Sequence, residues 1–205
     1  MSRMWYFKNL TIYKVMITTL AAYIRNYIDI SDEEMGLFYR HLKVRKFKKK
    51  EYVLEEGKIC KARYFIVKGC VRSYYIDEKG VERILDFGID EWWFTNYNSL
   101  INQSPSENFI QTIEDSVILE LHQDSFDELS AKLPKIDRLF RIITEKTHIA
   151  HINKTKYTRS LSGEHLYKQF VLSNPKFSQR VPQYMIASYL GLSPEFVSKV
   201  KARYR

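Results

Sequence analysis

Apolar positions recur at helical spacing over residues 17–42, where Leu20, Tyr23, Ile24 and Tyr27 share a face before a break at Asp29. Ser31 and Glu34 have the S-x-x-E spacing of a capping box, which predicts a second short helix running through Leu42. The period then changes. Lys43–Lys50 (KVRKFKKK) reads as an extended strand edge shielded by lysines. From Tyr52 to Leu121 short apolar runs alternate with Gly turns. The predicted strands are Tyr52–Leu54, Tyr64–Val67, Val71–Ile76, Ile84–Phe87, Phe109–Ile113 and Val117–Leu121. Short strands at this spacing predict a β-sandwich or jelly-roll barrel. The pattern lapses in EWWFTNYNSLINQSPSEN (Glu91–Asn108), which is expected to be a long loop. Its Trp92, Trp93, Phe94 and Tyr97 either line a ligand pocket or pack as core and lid.

Helical spacing resumes at Ser125, where a second S-x-x-E pattern predicts a cap, and a break is expected at Leu133-Pro134. Ile136, Leu139, Phe140, Ile143 and Ala150 lie on one face of a long helix reaching about Arg159. Such a helix, set between a β domain and the C-terminal region, is a place for a two-fold partner to pack. His151 and Asn153 near that seam would set its register or face solvent. Thr158–Gly163 is expected to be a hinge, Glu164–Leu172 a helix, and Ser173-Asn174-Pro175 its stop.

The last stretch is the most specific. Pro182 and Gln183 open a short apolar-patterned run, Tyr184–Leu190, and Gly191 breaks it as an αL residue does past a helix end. Ser193 is placed as N-cap, Pro194 at the first helical position, and Glu195 where an anion complements the helix dipole. Phe196, Val197 and Val200 form the apolar stripe of the second helix. Two short helices around a tight Gly turn make a helix-turn-helix, whose second helix can enter a DNA major groove.

Charge sharpens this reading. The 205-residue chain carries a formal net charge of +9. Residues 145–205 hold 11 Lys/Arg against 3 Asp/Glu, whereas the rest holds 22 against 21. The positive excess therefore sits beside the helix-turn-helix, as in a nucleic-acid reader. The two cysteines, Cys60 and Cys70, have no zinc or iron–sulfur spacing and make no disulfide framework, which fits a cytoplasmic home. No run reaches the length of a membrane span, and the first residues lead to no signal-peptide cleavage site. Residues 1–15 read as an extension ahead of a more ordinary start at Met16.

Taken together, Gly69–Phe87 (GCVRSYYIDEKGVERILDF) and Pro182–Val200 (PQYMIASYLGLSPEFVSKV) resemble the Crp/Fnr family of transcription regulators. The resemblance extends over about Met16 to Arg205. It implies an α+β chain with N-terminal helices and an antiparallel double-stranded jelly-roll β domain of the cyclic-nucleotide-binding type. A long connecting dimerisation helix and a C-terminal helix-turn-helix lacking a full wing complete it. The corresponding divisions are 1–15 extension, 16–124 sensor domain, 125–160 dimerisation helix and hinge, and 161–205 DNA-binding domain. It implies that Glu195 accepts from a base amino group, that Lys199 stands where arginine is usual, and that Gln183 and Ser193 lie near phosphate. Ser198, Lys201 and Arg203 complete the expected DNA-binding set. Double-stranded DNA, a second copy of the chain and RNA polymerase are the implied partners.

The departures are informative. Cyclic-AMP-binding members carry Gly-Glu and Arg-Ser pairs for ribose and phosphate. Here Thr95-Asn96 and Ser106-Glu107 stand in their places, and Glu107 would repel a phosphate. Trp92, Trp93, Thr95, Asn96, Ser106 and Glu107 therefore mark the expected effector pocket, with an unknown small-molecule effector other than cyclic AMP. No cofactor and no metal site is predicted. Iron–sulfur sensing needs a cysteine cluster that Cys60 and Cys70 cannot supply. Lys199 gives looser guanine readout than an arginine fork. One alternative is a ligand-sensing or protein-interaction module whose helix-turn-helix no longer reads bases. Another is a cupin-like enzyme, disfavoured because Tyr52–Leu121 contains no His.

Overall fold

The structure, a computed structural model, describes residues 16–203. The extension expected over residues 1–15, and Arg205, lie outside the described residues. Helix α1 is described over residues 16–25 and places Met16, Leu20, Ile24 and then Ile28 in the core. Helix α2 (Asp32–Arg40) opens with the expected capping box: Ser31 accepts from the Glu34 backbone, and Glu34 accepts from the Ser31 backbone N–H at 2.8 Å. It ends at Arg40, two residues before the predicted limit, because Leu42 already pairs as a strand.

Eight strands form two antiparallel four-stranded sheets among the described residues. Their ranges are β1 Leu42–Phe47, β2 Tyr52–Leu54, β3 Ala62–Lys68, β4 Cys70–Ile76, β5 Glu82–Ile89, β6 Trp92–Phe94, β7 Phe109–Thr112 and β8 Ser116–His122. One sheet has the order β1-β8-β3-β6 and the other β2-β7-β4-β5. The lysine-rich β1 is indeed an edge, exposed along most of its length.

β3 explains the layering. Its sequence ARYFIVK is buried at six successive positions instead of alternating, as expected of a strand covered on both faces. Tyr64 and Ile66 point between the sheets, joining Phe47, Leu54, Val71, Leu100, Ile110 and Ile118. Phe65 and Val67 point the other way, into a core with Leu20, Ile24, Phe38, Leu129, Ile136, Leu139 and Phe140. A third core lies outside the second sheet, where Tyr74, Ile84, Phe87 and Ile89 meet Leu166, Phe177, Met185, Ile186 and Leu190. Gly69, between β3 and β4, has φ 127°, and a Cβ there would fall 2.1 Å from the Ser116 hydroxyl. The turn therefore requires glycine.

Several expectations need correction. The stretch Glu91–Asn108 is not a plain loop: it contains β6 and helix α3 (Tyr97–Asn102), capped by Asn96. The two tryptophans hid the strand because they pack on opposite sides of it. Ser125 is not a cap. Helix α4 (Gln123–Lys132) begins two residues earlier, with His122 as N-cap and no side-chain cap bond, because β8 runs straight into it. After the expected break at Pro134, helix α5 (Lys135–Ser160) runs into the expected Thr158–Gly163 hinge, which narrows to Leu161 and Ser162 before helix α6 (Gly163–Ser173). Ile136, Leu139, Phe140 and Ile143 do share one face, but they are buried in the chain's own core instead of facing a second copy, and Ala150 is exposed, since the second half of α5 extends past that core. Pro175 does not only stop α6: it starts helix α7 (Pro175–Arg180), the favourable role of Pro in a first turn.

Candidate nucleic-acid interface

Helix α8 (Gln183–Leu190) and helix α9 (Pro194–Ala202) form the helix-turn-helix. Gly191 adopts φ 70°, ψ 24°. The Leu192 N–H then reaches the Ala187 carbonyl at 2.9 Å, and the Gly191 N–H reaches Ser188 at 3.1 Å. This is the Schellman pattern, and a residue with a Cβ would occupy it only under strain. Ser193 caps α9 by accepting from the Phe196 N–H at 3.1 Å, and Pro194 takes the first helical position. Such a cap stabilises a helix by about 1 kcal/mol. Val197 and Val200 are fully buried against α8, whose Ala187 is itself completely buried.

With that face fixed, the 3.6-residue period sends Glu195, Ser198, Lys199 and Ala202 outward as one stripe, and all four are exposed. Gln183, at the start of α8, donates to Ser198 at 3.2 Å, so the two helices present one continuous surface. Hydrogen bonding from its own backbone N–H and from Ser193 holds the Glu195 carboxyl below the usual range. At neutral pH it is an anion that only accepts hydrogen bonds. Arg203 lies beside the stripe and pairs at 3.6 Å with Glu164 of α6. Lys201 is exposed on the flank, away from Glu195. Phe196 is half exposed and leans on Gly163, where a Cβ would sit 3.0 Å from its ring.

The other face of the unit is docked on the second sheet. The Ile84 N–H donates to the Ser188 hydroxyl at 3.1 Å. Arg180 bridges two carboxylates, Asp90 at 2.6 Å and Glu114 at 2.5 Å, and Asp90 also takes the Gly69 N–H. Lys154 of α5 lies 3.5 Å from the centroid of the Tyr189 ring and donates to the Leu85 carbonyl. His151 meets Asp86 at 3.0 Å. Sequence pattern marks His151 only for a dimer seam and does not single out Arg180 or Lys154. Their hydrogen-bond partners lie 65 to 90 residues away, and local pattern carries no signal at that range.

Residues 44–132 match the cyclic nucleotide-binding domain family. Over 170 residues the chain is 28% identical to the fumarate and nitrate reduction regulatory protein of Yersinia pestis, covering 77% of this chain and 66% of that protein. The chain spans about two thirds of the length of the curated relatives it matches. The solved structure of FixK2 from Bradyrhizobium japonicum is similar with a TM-score of 0.69 at 18% identity, covering 79% of this chain and 83% of that one. The catabolite activator protein of Thermus thermophilus is similar with a TM-score of 0.54 at 19% identity, covering 86% and 84%.

In sequence the chain is similar to fumarate and nitrate reduction regulators, and in fold to solved regulators of the Crp/Fnr family.

Against that family's pattern, the residues expected to form the effector pocket are dispersed. Trp93 lies in the core outside the first sheet, its ring 5.3 Å from Phe65 and 4.8 Å from Phe140. Trp92 is turned out of the barrel against Phe177, and Glu107 is exposed. Thr95, Asn96 and Ser106 do come together, but their polar atoms are spent on one another and on backbone. Thr95 donates to the Ala62 carbonyl at 2.8 Å, Asn96 caps α3 and donates to Ser106 at 2.8 Å, and Ser106 donates to the Asn108 carbonyl. Cys60 and Cys70 are both fully buried, and burial pushes the Cys70 thiol up to about 12. Among the described residues no helix is long and apolar enough to cross a membrane.

Proposed function

We propose that the chain is a cytoplasmic, homodimeric, sequence-specific DNA-binding transcription regulator whose effector is not cyclic AMP. The observation that carries this reading is the outward stripe of α9. Glu195, Ser198 and Lys199 are exposed together, on a helix whose opposite face is locked by Val197 and Val200. Glu195 accepts from a cytosine N4 amino group and Lys199 donates to guanine. Gln183, Ser193, Lys201 and Arg203 contact phosphates and set the register.

Two copies joined along α5 place their recognition helices in successive major grooves, about 34 Å apart. Ile149 and Ile152, each more than half exposed on the second half of α5, supply the apolar seam for that pairing. RNA polymerase is the further partner such a dimer engages when bound beside a promoter. The internal bonding of Thr95, Asn96 and Ser106 and the absence of an arginine among them support an effector unlike a cyclic phosphate.

The test is a selection of duplexes from a random pool at stated salt. An enriched, two-fold-related motif is expected, and a pool that stays random would overturn the proposal. In the same assay Glu195→Ala should relax preference at one base pair per half-site, worth about 1–3 kcal/mol of discrimination. An unchanged motif would remove the role given to Glu195.

A further inference from the structure

A groove of about 460 Å³ opens on the outer face of the first sheet, away from the barrel interior. Arg63, Tyr97, Phe126, Phe140, Thr144 and His148 line it. Strand parity puts Arg63 there, since it shares the outward face of β3 with Phe65 and Val67. It is an arginine in an otherwise apolar strand, and it is only 6% exposed.

Arg63 is incompletely paired. Its guanidinium lies 3.9 Å from the Phe126 ring centroid and 5.3 Å from that of Phe140. Nη1 donates to Gln123 Oε1 at 2.7 Å, but Nε is buried without a partner. No ion pair among the described residues includes it. The acid nearest in the network, Asp127, is reached only through the Gln123 amide, which donates to it at 2.8 Å. Burial weakens the hold of this guanidinium on its proton. A buried cation with an open donor is unfavourable unless an anion meets it, because its desolvation is otherwise not repaid.

The rim limits which anion fits. Arg141 and Glu145 pair with each other at 2.7 Å, and Asp137 accepts from the Ser130 hydroxyl. Two carboxylates at the mouth oppose a second negative charge on the ligand. The walls are aromatic, and the Tyr97 and Thr144 hydroxyls, 3.3 Å apart, give one further polar contact.

We propose that this groove binds a small monocarboxylate with a flat apolar body, its carboxylate on Arg63 and its body against Phe126, Phe140 and Tyr97. The inference deepens the regulator reading, on which it rests only for calling the ligand an effector. Arg141, Glu145, His148 and Ile152 share one stripe of α5. A bound anion therefore sits beside the surface proposed to meet the second copy.

The full chain, as the dimer, is titrated calorimetrically with benzoate, inorganic phosphate and cyclic AMP, with its mass followed by sedimentation. Benzoate is expected to bind once per chain, and phosphate and cyclic AMP not at all. Arg63→Gln should weaken benzoate binding about tenfold or more, as loss of a charge-assisted contact does. Thr144→Phe, which fills the groove and leaves Arg63 in place, should do the same, and it decides the matter if Arg63→Gln fails to fold. The proposal is overturned if benzoate does not bind the parent, if Thr144→Phe binds it unchanged, or if phosphate binds equally well. Binding that occurs only when the dimer dissociates would also overturn it, because the second copy then occupies the groove. The readout is ligand heat, so a negative result leaves the DNA-reading assignment standing, and a failed duplex selection leaves this one standing.

Discussion

At the residue scale, a short motif holds where a single side chain serves its own backbone. Ser31, Ser193 and Gly191 act as predicted because caps and αL turns are decided within four residues. Ser125 fails for the same reason in reverse: strand β8 holds the chain until His122, and the helix starts before the serine. His151 shows what a partner from elsewhere does. The hydrogen bond to Asp86 raises its pKa from 6.5, while burial and Lys154 oppose the rise. The protonated form is therefore favoured in the fold, and the gain is fully present below 6.5 and fades as pH rises past the raised value. Because the pair is half exposed, the effect is about 0.5 kcal/mol or less. Urea midpoints of the parent and His151→Gln should differ at about pH 5.5 and converge in mild alkali. A constant gap at both pH values would contradict this origin.

At the element scale, periodicity finds helices and strands that bury one face and misses those placed by their neighbours. β6 and α7 are each stabilised by aromatic contacts across the fold, Trp92 against Phe177 and Trp93 against Phe140. The docking of α7 and α8 on the second sheet depends on the Arg180 bridge to Asp90 and Glu114. Arg180→Ala leaves two part-buried carboxylates facing each other. It should lower stability by about 1–3 kcal/mol, the cost of a broken charge-assisted network. Backbone hydrogen exchange should rise first in α7 and α8. Exchange that rises evenly across the chain, or not at all, would mean that the bridge does not hold the unit.

At the scale of the whole molecule, three cores share two sheets, and α5 links two of them. It packs beside the first sheet in its first half, and in its second half it reaches Asp86, Leu85 and Tyr189. Twenty-six residues give it a length of about 39 Å. Its second half still shows Ile149 and Ile152 to solvent. If that seam joins two copies, Ile149→Glu with Ile152→Glu should yield monomers by sedimentation. DNA affinity should then fall by orders of magnitude, because each half-site would be bound alone. A double variant that remains dimeric would place the seam elsewhere.

The sequence by itself determined the caps at Ser31 and Ser193, the Gly turn, every strand but β6 and the basic C-terminal third, because each depends on neighbours in the chain or on summed charge. The face of α9 that is left outward also came from its own spacing. Only the tertiary structure decided that Thr95, Asn96 and Ser106 satisfy one another, that Trp93 is core, and that Arg63 is buried with its Nε unpartnered. Those outcomes depend on which side chains from distant strands and helices meet, and a buried polar group is satisfied or orphaned only once its surroundings have closed around it.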